Sequence, residues 1–231
     1  MRTAVLLLTL CSSALATAAA EFEGVLEMKI LTDPTAKGGW TGGTVRILVG
    51  KAGMRSEVVA QTARQPFQLV SLVRASEPNV TYTLDEATRT YQKVDNGSGD
   101  PKPAGEPPTL KRLGTEKMLG RTVQHVLLTS TSRGREEELW IDTSLVPPER
   151  FVSAFERDGG DDWWSALKGA GLQGIPLKMI FRSTAPGSKQ TGVEATSVVR
   201  KALPASTFEI PAGYQEAKGP LDVAPTPAPG R

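Results

Sequence analysis

Hydrophobic and polar residues alternate in short runs along most of the chain. In EFEGVLEMKIL (21–31), Phe22, Leu26, Met28 and Ile30 fall on one side and Glu23, Glu27 and Lys29 on the other, which is the period-two pattern of a half-buried strand. Similar runs recur at TVRILVG (44–50), MRSEVVA (54–60), FQLVSLVR (67–74), NVTYTLD (79–85), RTYQKV (89–94), RTVQHVLLTS (121–130), EEELWID (136–142), PLKMIFR (176–182) and TGVEATSVVRKA (191–202). Turn residues separate nearly all of them, as at 50–53, 85–88 and Pro186-Gly187. Links this short join antiparallel neighbours and leave no room for parallel crossovers, so a doubly wound α/β fold is excluded. The pattern predicts a mainly β chain built as a meander of antiparallel hairpins.

Two stretches break the alternation. Residues 95–109, DNGSGDPKPAGEPPT, are polar and rich in Pro and Gly, which predicts a mobile loop between two halves of one sheet. Residues 144–171 carry helical spacing instead. Pro147 and Pro148 suit a first helical turn behind Thr143 or Ser144, and Phe151, Val152 and Phe155 make an apolar stripe. A second short helix follows, with Asp161 as its cap, Asp162 at its positive end and Gly171 at its close. Trp163, Ala166, Leu167 and Ala170 line one face, and Trp164 sits about 100° round. A helix pressed by its apolar side on an alternating sheet predicts a curved antiparallel sheet with a helical lid. The residues expected to line a ligand cavity between them are Trp163, Trp164, Leu167, Phe151 and Phe155.

The two ends of the chain set compartment and boundaries. MRTAVLLLTLCSSALATAAA begins with Arg2, continues through an apolar core from Ala4 to Leu10 and ends on Ala18-x-Ala20, the arrangement of a cleavable secretory signal peptide. Its core is far shorter than the ~20 residues needed to cross a bilayer. Cys11 follows Leu10, where a lipid-attachment signal wants a small residue. Cleavage after Ala20 leaves a mature chain of 211 residues, enough for one self-supporting domain over residues 21–216. The remaining 217–231, AKGPLDVAPTPAPGR, are too poor in apolar residues to fold and read as a disordered tail. The mature chain has no transmembrane segment.

Charge and reactive residues narrow the function. Removal of 1–20 takes away Arg2 and the only cysteine, leaving 26 Lys and Arg against 25 Asp and Glu, a net charge of +1. No disulfide or thiolate metal site then exists, and the balance argues against a nucleic-acid partner. The sequons at Asn79 and Asn96 read as accidents of composition in a bacterial periplasmic protein.

His125, the only histidine, alternates with Val123 and Leu127 on a strand, so it reads as a structural residue, and no G-x-S-x-G accompanies it. Gly169, Gly171 and Gly174 match G-x-G-x-x-G in the wrong context, after a helix and before a strand. Glu136, Glu137 and Glu138 are consecutive and point to alternate faces, so they do not converge on a metal. Asp158, Asp161 and Asp162 lack the ligand ladder of a calcium loop. Arg46, Arg55 and Arg74 are spread over separate strands and read as an outer face. No catalytic set, metal site or cofactor is expected; the chain reads as a non-enzyme.

The order EFEGVLEM, VTYTLDEATRTYQKV, LGTEKMLGRTVQHVLLTS, EELWIDTSL, GIPLKMIF and STFEIPAGYQE resembles an uncharacterised family of exported bacterial proteins, a domain of unknown function. That family is similar in fold to the periplasmic lipoprotein carrier and receptor (LolA/LolB) superfamily. The likeness covers roughly residues 21–216 and rests on signposts: Gly120 for a tight hairpin, and FEIPAGY, where Pro211 and Gly213 end a last edge strand carrying Phe208 and Ile210. It implies a half-barrel with helices in its concave mouth and brings no catalytic residues. Two readings follow. In one, a periplasmic protein binds a lipid or acyl chain between sheet and lid; in the other, the core is filled by its own side chains and the molecule is an envelope scaffold whose partners are other envelope proteins.

Overall fold

The computed structural model describes residues 20–32, 40–62, 66–96, 107–131, 134–148, 163–184, 190–217 and 219. The described residues form twelve strands: β1 (Gly24–Thr32), β2 (Trp40–Gly50), β3 (Gly53–Thr62), β4 (Pro66–Arg74), β5 (Glu77–Asp85), β6 (Thr90–Asp95), β7 (Thr109–Met118), β8 (Arg121–Ser130), β9 (Arg135–Asp142), β10 (Ile175–Ser183), β11 (Thr191–Arg200) and β12 (Gln215–Glu216). One helix, α1 (Trp163–Gly169), lies between β9 and β10, and a 3-10 turn (Ala205–Phe208) lies between β11 and β12. All strands belong to one sheet in the order β12-β6-β5-β4-β3-β2-β1-β11-β10-β9-β8-β7. Every pairing is antiparallel except the two-residue contact of β12 with β6. The sheet is curved and does not close on itself.

Chain length explains part of that curvature. β6 and β7 follow one another in sequence yet lie at opposite ends of the sheet. At about 4.8 Å per strand a flat sheet would hold them about 48 Å apart. The link from Asp95 to Thr109 spans roughly 46–50 Å only when fully stretched, at about 3.3–3.6 Å per residue. Bending brings the two edges toward each other and removes that demand.

The registers sort side chains onto two faces. Leu26, Met28 and Ile30 share one face of β1, as their spacing predicts, and all three are buried. This face is the one α1 covers. On the other, Val25, Leu48, Arg55, Leu72, Tyr82 and Lys93 stand in one cross-strand row from β1 to β6. Residues 201–214 cross it as a strap. Lys201 N–H donates to the Glu23 carbonyl and Leu203 N–H to the Glu23 carboxylate, at 3.1 and 3.3 Å. Phe208 is then fully buried against Val25 and Leu48, and Ile210 and Tyr214 pack on Val70, Leu72, Tyr82 and Leu84. Gly50 and Gly53 make room for the Phe208 ring: a Cβ on Gly50 would lie 2.7 Å from Cε2. The helix and the strap thus cover opposite faces at opposite ends of the sheet.

Several expectations change. Phe208 and Ile210 belong to a 3-10 turn and strap, not to an edge strand; Pro204 sets up the turn, and the pairing falls to Gln215 and Glu216. β7 carries no period-two signal because an edge strand exposed on nearly its whole length has no buried face to record. Asp95 and Thr109 are strand ends, so the predicted loop is shorter; residues 97–106 lie outside the described residues. Pro147 and Pro148 are buried in irregular chain, not a helical turn, because Val146 bridges to Glu21. The Leu119-Gly120 turn does form the expected tight hairpin, both residues having positive φ (49° and 74°) as a type I′ turn requires.

Candidate functional site

The site builds from α1 outward. Seven residues make about two helical turns, too short to persist in water on their own, so packing must hold it. Its C-terminus closes in a Schellman arrangement: Leu172 N–H donates to the Leu167 carbonyl at 2.9 Å and Gly171 N–H to that of Lys168 at 3.0 Å, with Gly171 at φ 68°. The guanidinium of Arg112, reaching in from edge strand β7, donates to the Ala170 carbonyl at 2.5 Å. Trp164, Leu167 and Leu172 are buried on Val126 and Leu128 of β8, Leu139 and Ile141 of β9 and Met179 of β10. Trp163 is half-buried at the rim, edge-on to Trp164 with ring centroids 5.6 Å apart.

Sequence spacing expected Trp163 on the apolar face and Trp164 beside it; the two exchange places. The helix starts at Trp163, and its buried side is set by Trp164 and Leu167, three residues apart, continuing to Leu172. Phe151, Phe155 and the Asp161 cap lie outside the described residues.

The apolar surface under α1 continues across the sheet. Val126 pairs with Leu139, Leu139 with Met179, Met179 with Val193 and Val193 with Ile30. One row over, Ala195 pairs with Met28, Met28 with Val45, Val45 with Val58 and Val58 with Leu69. These form an unbroken apolar track on the helix face of eight strands, β8 to β4. Its α1 end is buried, whereas Val45, Val58 and Leu69 at the far end are half-buried.

Beside Trp163 the track meets polar groups. Pro108, Leu128, Ser130, Arg135, Glu137 and Trp163 surround a cleft with about 10 Å³ of water-accessible space. Arg135 Nη2 lies 2.6 Å from Glu137, which is buried, and its guanidinium stands 5.1 Å over the Phe181 ring. The sequence pattern did not single out Ser130 and Arg135, and it read Glu137 only as one of three consecutive glutamates on alternate faces. Strand parity held the signal, since Val126, Leu128 and Ser130 alternate onto the helix face, as does Glu137 between Glu136 and Glu138.

The opposite face is ionic. Arg46 lies 3.7 Å from Glu27 and 3.5 Å from Glu57, Arg55 lies 2.6 Å from Glu57, and Arg74 lies 3.5 Å from Glu77 and 3.1 Å from Glu209. The Tyr82 hydroxyl donates to Glu77 at 2.7 Å; that bond first, then Lys93 and Arg74, hold the Glu77 carboxyl below its usual range.

His125 stacks on Trp140 at 4.1 Å, with Nδ1 2.8 Å from Glu116 and Nε2 2.7 Å from Glu138; Lys178 covers the other end of the stack, 4.6 Å over the Trp140 ring. It is a partnered side chain within the sheet face. Burial works against the Glu138 carboxylate, but hydrogen bonds from Arg182 and His125 outweigh it and hold its pKa below the ordinary carboxylate range. A depressed native pKa contributes stability that is fully present above the unfolded value and is lost as pH falls through the native one. Glu138→Gln is therefore expected to cost about 1–2 kcal/mol at pH 7 and to shrink the loss of stability on acidification below pH 4.5, the unperturbed glutamate value. Urea midpoints at pH 7 and pH 3.5 measure both, and a variant whose midpoint falls as steeply as wild type removes this assignment.

A profile of the family described as "Domain of unknown function (DUF4412)" matches residues 22–214. The chain belongs to the DUF4412 family. The search of curated proteins found no match. Among solved structures, an uncharacterised conserved protein from Thermus thermophilus is similar at 9% identity and a TM-score of 0.48, over 84% of this chain and 90% of that one. The Pseudomonas aeruginosa MucA/MucB complex is similar at 11% identity and a TM-score of 0.45, over 80% of this chain and 54% of that chain. The Mycobacterium tuberculosis lipoprotein LppX is similar at 11% identity and a TM-score of 0.35, over 78% and 90%. Strand order and register define the fold of this DUF4412 member as one unclosed, curved sheet. No helix of the described residues is long and apolar enough to cross a membrane.

Proposed function

We propose that this is an exported, non-catalytic protein that holds a single acyl chain along the apolar track, with α1 as the lid at one end. The observation that carries the reading is the track itself: ten apolar side chains run without interruption across eight strands, with Val126, Leu139 and Met179 buried under α1, Met28, Ile30 and Ala195 buried beyond it, and Val193, Val45, Val58 and Leu69 half-buried. The β2 to β4 end is about 10–15 Å wide by strand spacing, close to the roughly 15 Å that one acyl chain occupies in half a bilayer core. Burial at about 0.8 kcal/mol per methylene gives roughly 13 kcal/mol gross for a sixteen-carbon chain, enough to offset ordering the chain and displacing α1. Trp163, Trp164 and Leu167 close the β8–β10 end, and a chain extending there must lift them.

Protein purified from its host under native conditions is expected to carry lipid by native mass spectrometry. Added palmitate or lysophospholipid is expected to shift Trp emission, since Trp163 and Trp164 stand at the lid. Val58→Asp and Leu69→Asp, on half-buried positions, are expected to weaken binding at least tenfold, a charge having to be buried against the chain. A lipid-free preparation whose emission no lipid changes leaves the self-filled scaffold as the reading to adopt.

A further inference from the structure

Beside the half-buried end of the apolar track, the same face of the sheet turns to uncharged polar side chains. Ser56 of β3 pairs with Ser71 of β4, Ser71 with Thr83 of β5 and Thr83 with Gln92 of β6, so the four stand in one cross-strand row. All four are half-buried, and none of their side chains makes a hydrogen bond among the described residues. Strand parity puts them on the helix face with Val58 and Leu69, which lie two residues along β3 and β4, or about 7 Å. Met54 and Val73, both buried, flank the row on its other side. The opposite face of the same strands is built otherwise, with Arg55, Glu57, Glu77 and Lys93 in ion pairs.

Sites for amphiphiles are mostly apolar, with a few polar groups that fix orientation. An ionised headgroup laid on this row would give up water against Val58, Leu69, Met54 and Val73 and meet no opposite charge in Ser, Thr or Gln. Asp85, two residues along β5 from Thr83, adds a negative charge at the row's edge, and its carboxylate already accepts from the amides of Ala87 and Thr88 at 2.8 and 3.2 Å. A hydroxyl suits the row better, because it both donates and accepts, as the Ser, Thr and Gln side chains do. The row is about 14 Å long by strand spacing, room for several such groups. We infer that Ser56, Ser71, Thr83 and Gln92 seat the headgroup of the bound amphiphile, and that they take an uncharged headgroup bearing several hydroxyls, such as a sugar or glycerol, in preference to an ionised carboxylate or phosphate. This deepens the acyl-binding reading and rests on it. The chain leaves the row over Leu69, Val58 and Val45 toward β1.

The test titrates the full mature chain at pH 8 with decyl maltoside, with decanoate and with maltose, the two amphiphiles below their critical micelle concentrations, read by calorimetry. Wild type is expected to bind decyl maltoside at least tenfold more tightly than decanoate, and maltose at least a hundredfold more weakly than decyl maltoside. Ser71→Ala with Thr83→Val is expected to lose tenfold or more for decyl maltoside, leave decanoate within twofold and melt no lower than wild type, since neither hydroxyl is bonded within the protein. Thr83→Ser, which keeps the hydroxyl, is expected to retain the preference. If both amphiphiles bind and the double variant moves neither, the row is a solvated strip and this inference falls while acyl binding stands. Tighter binding of decanoate overturns it in the same way. Maltose binding as tightly as decyl maltoside makes the row a site for free saccharide and overturns its link to the acyl chain. If neither amphiphile binds, the acyl reading falls and this one with it.

Discussion

Phe208→Ala is expected to destabilise the protein by about 3–5 kcal/mol, the range for emptying a buried phenylalanine site. The ring is fully buried between Val25 and Leu48 of the two central strands, over the gap left by Gly50 and Gly53. The site cannot collapse easily, because the glycines have no side chains to fill it. Beyond the lost transfer energy, the truncation unpins the strap, whose next anchors, Ile210 and Tyr214, are only half-buried. Denaturant midpoints give the stability change, and limited proteolysis within 201–217 gives the loosening. Gly50→Ala makes the contact itself testable. Its added methyl meets the ring at 2.7 Å, so the single variant is expected to cost about 1–3 kcal/mol and the pair Gly50→Ala with Phe208→Ala to cost less than the sum. Strict additivity, or a Phe208→Ala cost below about 1 kcal/mol, removes the strap from its assigned seat.

Leu167→Ala is expected to cost about 2–5 kcal/mol as well, but the loss shows in a different measurement. Leu167 is the completely buried centre of α1 and also supplies the carbonyl that closes the helix C-terminus. A helix of seven residues has little stability of its own, so most of the loss falls on local opening and not on global unfolding. Native-state hydrogen exchange is expected to show the amides of Ala170, Gly171 and Leu172 losing most of their protection, while β1 and β2 keep theirs. Equal loss in both regions would mean that α1 is welded into the sheet and cannot act as a lid.

How much of this was legible in the sequence depends on whether a segment had one buried face. β1, with Leu26, Met28 and Ile30 against Glu27 and Lys29, was readable because one side is core and the other is wet. β7 was not, since an edge strand shows solvent on both sides and carries Lys111, Arg112, Glu116 and Lys117 instead of alternation. The strap was misread for the opposite reason. Phe208 and Ile210 are two residues apart and both turn toward the sheet, so a short crossing segment mimics strand parity although its backbone is a 3-10 turn. At the candidate site, the helix and its closing Gly171 could be placed, but not the order of burial of Trp163 and Trp164, which depends on where the first turn begins. The Ser130 cleft needed pairing register, because only the register of β8 with β9 sets Ser130 opposite Arg135 and Leu128 opposite Glu137.

The position of β1 also dictates the order in which the molecule is completed. One of its edges is satisfied at once by β2, but the other waits for β11, whose Thr196 hydroxyl donates to the Glu27 carbonyl across 169 residues of sequence. During synthesis the first six strands therefore present a naked, hydrogen-bond-hungry border until nearly the whole polypeptide has emerged. Contacts of such sequence separation form slowly and leave intermediates prone to aggregation. Chains truncated before residue 191 are thus expected to need a chaperone to stay in solution, whatever the quality of the hairpins they already contain.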